Sequence, residues 1–248
     1  MKINFPLLAL AVGAFAIGTT EFSPMGFLPE IANDLSVSIP QAGLLISAYA
    51  VGVMIGAPLM TLWLARFPKK TALILLMAIF TIGNVLATVA PDYMSLMGAR
   101  LITSLNHGAF FGLGSVVAAS VVPKDKQASA VAMMFMGLTI ANIGGVPLAT
   151  WLSQNTSWRM AFAAISILGI MTMLALWKAL PQDHDVVKPN VAKELRVLTR
   201  APVVLALLTT VMSAGAMFAL YTYIAPSLHV FMQASPQTIT LMLVLIGI

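Results

Sequence analysis

The hexapeptide Gly56-Ala-Pro-Leu-Met-Thr61 recurs 89 residues later as Gly145-Val-Pro-Leu-Ala-Thr150, and each copy lies inside a long apolar run. The same shift places Phe5, where the first apolar run begins, on Met94, where the fourth begins. Runs one to three therefore correspond to runs four to six, and since three is an odd number, the second set is inverted in the membrane. A chance match between residues common in membrane helices is the alternative. An inverted repeat predicts two nearly equivalent conformations, one open to each side.

The composition identifies lipid as the solvent of this chain. Of its 248 residues, 60% are hydrophobic and 8% are charged, whereas about a quarter of the residues of a soluble domain are charged. This excludes a water-soluble enzyme. The net charge of +5 does not indicate nucleic-acid binding, because the basic residues form short clusters between apolar runs. Since the sequence has no cysteine, disulfides, thiolate nucleophiles and sulfur-ligated metals are excluded.

Seven apolar runs are long enough to cross roughly 30 Å of hydrocarbon at about 1.5 Å per residue. They are 5–28, 41–64, 71–90, 94–121, 129–152, 160–179 and 202–224. An eighth run, 238–248, covers about half of a span, so we expect the protein to continue beyond it. The sequence predicts an all-α integral membrane protein in three parts. These are a six-span bundle over 1–180, a cytoplasmic linker over 181–200, and the start of a second bundle over 201–248.

The distribution of positive charge orients the spans. Eleven of the thirteen Lys and Arg residues lie in the alternate segments that contain Lys2, 66–70, 124–126 and 178–200. Cytoplasmic loops are enriched in Lys and Arg. We therefore expect the amino terminus and these segments to lie in the cytoplasm.

Two charged side chains interrupt the apolar runs at one depth. Glu21 lies about seven residues from the external end of span one, and Arg100 lies about six residues into span four. Both are therefore about 9–10 Å below the external edge. Intramembrane charges face a bundle interior or a watered cavity and pair with one another. We expect Glu21 and Arg100 to form an ion pair that couples transport to protons, and a purely structural bridge is the alternative.

A protonation switch follows from this pair. Burial favours a neutral carboxyl group, and a neighbouring guanidinium favours a carboxylate. If Arg100 moves away from Glu21 as the bundle rocks, the carboxyl takes up a proton. Renewed pairing, or a cationic substrate, then releases it.

Span four carries polar residues on one helix face. Arg100, Thr103, Ser104 and His107 are spaced i, i+3, i+4 and i+7, which predicts a cavity wall. Asn106 lies off this stripe, and two roles stay open for it, a hydrogen bond to a packed neighbour and a place in the cavity wall. The predicted substrate-cavity residues are Asn84, Thr103, Ser104, His107 and Asn142.

Span five contains candidate gate residues. They are Gly144, Gly145 and Pro147, and proline kinks helices because it lacks a backbone N–H. The sequence has no nucleotide-binding loop, nucleophile elbow or zinc helix. His107, His184 and His229 lie at different predicted depths. We therefore expect no enzymatic activity, metal, cofactor, ATP or nucleic-acid partner.

Four stretches carry a family resemblance: 21–26, 100–112, 141–150 and 157–159. They resemble the Major Facilitator Superfamily, in its drug:proton antiporter group and arabinose-efflux-permease-like branch. The family implies twelve spans in two six-helix halves, with the substrate site between the halves. By this resemblance, Arg100 matches an arginine implicated in proton coupling. Gly144, Gly145 and Pro147 match the antiporter motif of span five.

Two features depart from the family pattern. Val146 separates Pro147 from the glycine that precedes the proline directly in the usual motif. In the loop after span two, Thr61, Ala65 and Pro68 replace a glycine, an aspartate and a second glycine. A charge relay through that aspartate is therefore not expected, and the remaining basic residues are expected to set topology. Those basic residues are Arg66, Lys69 and Lys70.

Together these features predict a secondary active transporter of the bacterial inner membrane. It would export a small organic solute, such as a sugar or a drug, in exchange for protons. Its expected partners are therefore the solute, protons and the lipid bilayer. Two alternatives remain open. One is a proton-coupled uptake symporter for a sugar or nucleoside, and the other is a truncated, non-transporting membrane scaffold or subunit.

Overall fold

The computed structural model describes residues 4–181 and 199–247. Within these ranges, all regular secondary structure is helical. The α-helices are α1 (Phe5–Gly26), α2 (Leu28–Asp34), α3 (Ile39–Leu64), α4 (Lys69–Thr88), α5 (Tyr93–Ser104), α6 (His107–Ser120), α7 (Gln127–Ile140), α8 (Val146–Asn155), α9 (Trp158–Ala179), α10 (Ala201–Thr222), α11 (Ile224–Met232) and α12 (Pro236–Gly247). A 3-10 turn at Lys124–Lys126 precedes α7, and a π-helical turn at Ala141–Gly145 joins α7 to α8.

Seven helical segments of the described residues are long and apolar enough to cross a membrane. They are Phe5–Gly26, Ile39–Leu64, Lys69–Thr88, Tyr93–Ser120, Lys124–Asn155, Trp158–Ala179 and Ala201–Thr222. The predicted all-α membrane fold is confirmed. The division of the chain into three parts stays a prediction, and residues 182–198 of its linker lie outside the described residues.

Local capping explains where the first two spans begin. The side chain of Asn4 accepts a hydrogen bond from the Leu7 N–H at the start of α1. Ser38 and Gln41 form a capping box, in which each side chain bonds the backbone of the other. The second span therefore begins at Ile39, two residues ahead of its apolar run.

Three predicted spans are interrupted rather than continuous. The first breaks after Gly26, the fourth breaks at Leu105 and Asn106, and the fifth contains the π turn. At the end of that turn, the Val146 N–H donates to the Ala141 oxygen, five residues earlier. Pro147 follows directly and has no N–H to donate. Single π turns inside α-helices are frequent at functional sites.

Residues 201–247 contact the six-span bundle near one end. Phe22 of α1 stacks on Phe218 of α10 with ring centroids 5.3 Å apart, and meets the Tyr221 ring edge-on at 5.8 Å. This end also holds Asp34 and is called the Asp34 end below; the opposite end, which holds Lys70, is the Lys70 end. Phe22 directly follows Glu21 in α1, so this contact adjoins the candidate site along that helix.

Candidate functional site

Arg100 is the centre of a buried polar cluster. It lies on α5 with 1% of its surface exposed. Its Nη1 donates to the backbone oxygen of Thr20 at 2.9 Å and to the Thr20 hydroxyl at 3.4 Å. The Thr20 hydroxyl in turn donates to the side-chain oxygen of Asn84 at 2.7 Å. The cluster therefore joins α1, α4 and α5.

In the described part of the chain, the rest of the Arg100 guanidinium has aromatic neighbours and no acceptor. Its Cζ lies 4.2 Å from the centroid of the Tyr49 ring and 5.9 Å from that of Phe162, where a cation is attracted to the ring face. Nε and Nη2 are buried, and neither has a hydrogen-bond partner among the described residues. An arginine fork binds a carboxylate through two parallel hydrogen bonds. Arg100 thus presents an unpaired edge suited to a carboxylate.

Glu21 lies beside His107 instead of Arg100. Its Oε2 is 3.9 Å from His107 Nε2, and the ion pairs within 4.0 Å in the described part of the chain do not include Glu21 with Arg100. The expected ion pair is therefore wrong for this conformation. The reason is helical geometry: Thr20 holds the guanidinium, and the next residue points about 100° further round α1.

Tyr49 links the two parts of this cluster. Its ring lies under Arg100, and its hydroxyl is 3.1 Å from His107 Nδ1. The side chain is buried. Tyr49 is absent from the predicted site residues because it carries no charge at neutral pH and lies outside the span-four stripe. The signal in the sequence is that Tyr49 is the single tyrosine of the run 41–64.

Thr103 and Ser104 face neighbouring helices. Both are fully buried, and their hydroxyls donate to carbonyl groups of their own helix at 2.8 and 2.7 Å. Thr103 packs against Gly83 of α4, and Ser104 packs against Gly52 of α3. In this conformation, the two side chains pack between α5 and its neighbours α3 and α4. They do not form the cavity wall that the sequence predicts.

The three asparagines have different environments. Asn84 is buried against Thr20, and Asn142 is half-buried in the π turn, where it donates to the Leu138 oxygen at 3.2 Å. Asn106 is buried, and within 4–181 and 199–247 neither its side-chain nitrogen nor its oxygen has a hydrogen-bond partner. Of the two roles open for Asn106, the hydrogen bond to a packed neighbour is therefore not formed with any described residue. Asn106 lies at the break between α5 and α6, where its side chain caps neither helix.

Glu21 and His107 face a partly open space with an aromatic border. Their side chains are 14% and 16% exposed. The His107 ring is 5.1 Å from that of Phe111, which stacks on Phe135 at 5.1 Å. A carboxyl group, an imidazole and aromatic faces can hold a polar or cationic organic solute. Within 4–181 and 199–247, no three His, Asp or Glu side chains come together to hold a metal.

The predicted gate residues differ in their packing. A Cβ at Gly145 would collide with the Thr19 hydroxyl and lie 3.2 Å from the Phe15 ring, whereas one at Gly144 would meet no described atom within 4 Å. Pro147 is buried at the start of α8. The π turn therefore rests on α1 two residues before Glu21.

The basic loop anchors helix ends at the Lys70 end. The Lys70 ammonium donates to the Leu180 oxygen at 2.8 Å, just beyond α9. The Arg66 guanidinium stacks on the rings of Trp63 and Phe67, at 5.3 and 5.5 Å from their centroids. Lys69 borders a mostly apolar cavity of about 260 Å³ between α3, α4 and α6. Arg66 and Lys70 thus have structural contacts besides the expected effect on topology.

A charged clamp, formed by Asp34, Trp158 and Arg159, connects helices at the Asp34 end. Asp34 accepts hydrogen bonds from Arg159 Nη1 and, at 3.0 Å, from Trp158 Nε1. Arg159 Nη2 also donates to the Ala90 oxygen at 2.9 Å. These bonds tie α2, the end of α4 and the start of α9 together. The hydrogen bond from Arg159, and then that from Trp158, lower the pKa of Asp34 below its usual value.

Acidification is expected to weaken this clamp. Because the folded-state pKa of Asp34 lies below that of the unfolded chain, its stabilisation is present above about pH 4 and is lost as the pH falls further. The side chain is 47% exposed, so the contribution is about 0.5–1 kcal/mol. We expect Asp34→Asn to lower the unfolding temperature at neutral pH. Below about pH 4, we expect the unfolding temperature of this variant to fall less than that of the wild type. Asp125→Asn, in the exposed turn before α7, is the control, and an acid-induced fall of wild-type size in Asp34→Asn would contradict the prediction.

Sequence comparisons relate this chain to membrane transporters. The Major Facilitator Superfamily matches residues 10–248. Inner membrane transport protein YdhP of Escherichia coli (strain K12) is 66% identical over 248 residues, which are all of this chain and 64% of YdhP. AraJ of the same strain is 36% identical over 242 residues, 98% of this chain and 61% of AraJ. A probable sugar efflux transporter of Helicobacter pylori (strain P12) is 29% identical over 243 residues, 98% of this chain and 62% of the relative.

A solved structure shares the fold. It is the crystal structure of a bacterial homolog of the human lysosomal transporter Spinster, in an inward-facing and unoccupied conformation. The TM-score is 0.78 at 18% identity, over 98% of this chain and 58% of that chain. This chain spans about three fifths of the length of the curated relatives described above. Because the family match extends over nearly the whole chain and the fold agrees with it, the chain belongs to the Major Facilitator Superfamily.

Proposed function

We propose that this chain is part of a proton-coupled exporter of a small organic solute, such as a sugar or a drug, in the bacterial inner membrane. The family supports transport, and the similarity to YdhP supports the inner membrane. The relative from Helicobacter pylori, described as a sugar efflux transporter, supports export. The amino terminus lies in the cytoplasm in this proposal, so the Asp34 end faces outward.

Glu21 and Arg100 couple proton movement to transport. His107 and Asn142 contact the solute, because their side chains are only partly buried. The buried side chains support the helices around the cavity, and these are Asn84, Thr103 and Ser104. Gly145 and Pro147 form the hinge of span five, and since Gly145 bears on Thr19, a movement of this hinge is passed to α1.

The observation that carries the proposal is the separation of Glu21 from Arg100. The carboxyl lies at His107, while the Nε and Nη2 edge of Arg100 is unpaired. A protonated carboxyl needs no cation beside it, so this arrangement fits the proton-loaded half of a cycle. In the other half, Glu21 moves onto the unpaired edge as a carboxylate and releases its proton. Alternation between the two arrangements links a proton to each change of access.

The test is solute-driven proton movement in liposomes that hold the full-length protein and a pH-sensitive dye. We expect Glu21→Gln to reduce this movement at least about tenfold, because an amide neither takes up nor releases the proton. Asp125→Asn, whose carboxylate lies in an exposed turn, is expected to behave as wild type. Undiminished coupling in Glu21→Gln would refute the proposal. Movement of solute and protons in the same direction would make the protein an uptake symporter.

A further inference from the structure

The imidazole of His107 lies between two oxygen atoms. Its Nδ1 is 3.1 Å from the Tyr49 hydroxyl, and its Nε2 is 3.9 Å from Glu21 Oε2. A neutral imidazole has one N–H donor and one acceptor nitrogen. The nitrogen that carries the hydrogen therefore decides which of the two oxygens must donate. A distance of 3.9 Å is too long for a hydrogen bond, but a bridging water or a small rotation of Glu21 completes the contact.

Two hydrogen-bond patterns satisfy this line of groups. In the first, the Tyr49 O–H donates to Nδ1, and the Nε2–H points at the Glu21 carboxylate. In the second, Glu21 has gained one proton from water and donates to Nε2, while the Nδ1–H donates to the Tyr49 oxygen. The second pattern therefore holds one proton more than the first. A hydroxyl serves both patterns because it donates and accepts.

We infer that Tyr49 is a positioning residue that sets the tautomer of His107 and thereby controls when Glu21 binds a proton. The inference rests on the proposed function and adds Tyr49 to its proton site. Tyr49 suits this role because its ring also carries the Arg100 guanidinium at 4.2 Å. Among the described residues, the charged side chains beside Tyr49 and His107 are Arg100 of α5, over the Tyr49 ring, and Glu21 of α1, next to His107. The remaining ring against His107, that of Phe111, is apolar.

Removal of the Tyr49 hydroxyl is expected to make Glu21 harder to protonate. Tyr49→Phe keeps the ring beneath Arg100 and deletes the oxygen alone. The second pattern then leaves a buried Nδ1–H without an acceptor, whereas the first leaves only an unused lone pair, and an orphaned N–H is the costlier of the two. We expect the midpoint of the pH dependence of solute-driven proton movement to shift by about one unit toward lower pH, a roughly tenfold change in proton affinity.

Two measurements on the full-length protein test this inference. The first is the pH profile of proton movement in liposomes for wild type, Tyr49→Phe and Tyr49→Leu. Tyr49→Leu also removes the ring, so we expect the same shift with an added loss of rate. The second is nitrogen NMR of protein labelled at histidine, with His107 assigned through His107→Gln. We expect the wild-type tautomer to change over the pH range of proton uptake, and the tautomer of Tyr49→Phe to change about one pH unit lower.

An unshifted midpoint in Tyr49→Phe, or a wild-type His107 tautomer that is independent of pH, overturns the role of Tyr49. The wild-type tautomer titration can overturn the role of Tyr49 even if Tyr49→Phe cannot be purified. Failure of the proposed function has a different signature, since proton movement would then survive Glu21→Gln. Loss of coupling in Glu21→Gln together with a wild-type profile in Tyr49→Phe removes Tyr49 alone from the mechanism.

Discussion

Replacing Arg100 with methionine is expected to reduce proton movement and solute exchange about a hundredfold. The variant offers Glu21 no ion pair, and a charge-assisted hydrogen bond contributes about 3 kcal/mol at most. Since every 1.4 kcal/mol is tenfold in an equilibrium, that loss leaves Glu21 holding its proton in almost every molecule. The transporter then stays in one half of its cycle. Exchange of labelled solute and dye-reported proton flux in the same liposomes measure both effects.

Arg100→Met is expected to remain folded. The guanidinium is buried, and in the described part of the chain no carboxylate lies within 4.0 Å of it. Its charge is therefore desolvated without a paired anion, and apolar residues of similar volume often replace buried charges without loss of stability. Loss of transport with an unchanged unfolding temperature assigns Arg100 to the transport cycle. A collapse of both would make Arg100 a structural bridge between α1 and α5.

Arg100→Lys separates charge from geometry. Lysine keeps the positive charge, but its single ammonium lacks the planar fork that binds a carboxylate in two places. We therefore expect Arg100→Lys to lose coupling nearly as far as Arg100→Met. Wild-type coupling in Arg100→Lys would contradict the role given to the Nε and Nη2 edge.

Depth along a helix can be predicted from the sequence, whereas direction around it cannot. Counting residues from the span ends puts Glu21 and Arg100 in one layer, and the structure brings both into one cluster. Whether they pair depends on the rotation of α1 about its axis. Thr20 takes the contact with Arg100, and Glu21 turns to His107. That rotation results from the packing of α1 on several helices, which no single span encodes.

The same limit explains the environment of the span-four stripe. Spacing predicts a polar face, but the glycines that receive Thr103 and Ser104 lie in other spans. The role of Tyr49 is not predictable from its own span for a related reason, since that role depends on contacts with α5 and α6. The fold class is predictable because long apolar runs in lipid satisfy their backbone groups only as helices or closed barrels, and these runs have the length of helices.

Gly137→Ala is expected to destabilise the bundle by about 3 kcal/mol, the upper range for overpacking. A Cβ at Gly137 would collide with the backbone oxygen of Ala11 and lie 2.9 Å from the Ala11 carbonyl carbon and the Phe15 nitrogen. All three are backbone atoms of α1, so no side-chain rotation relieves the clash, and α7 must move away from α1. The unfolding temperature of the purified full-length protein measures the loss, and we expect Gly137→Leu to prevent accumulation in the membrane.

Gly112→Ala is the matched control, because a Cβ at this glycine of α6 would meet no atom of the described residues within 4 Å. Alanine has the higher helix propensity, by about 1 kcal/mol at most, so we expect Gly112→Ala to be neutral or slightly stabilising. A similar loss in both variants would show that any added methyl group is harmful and that the contact with Ala11 has no special role. A loss confined to Gly137→Ala instead means that close approach of α1 and α7 is required. Since α1 carries Glu21 and α7 leads into the π turn, that approach also fixes the distance between the proposed proton site and the proposed hinge.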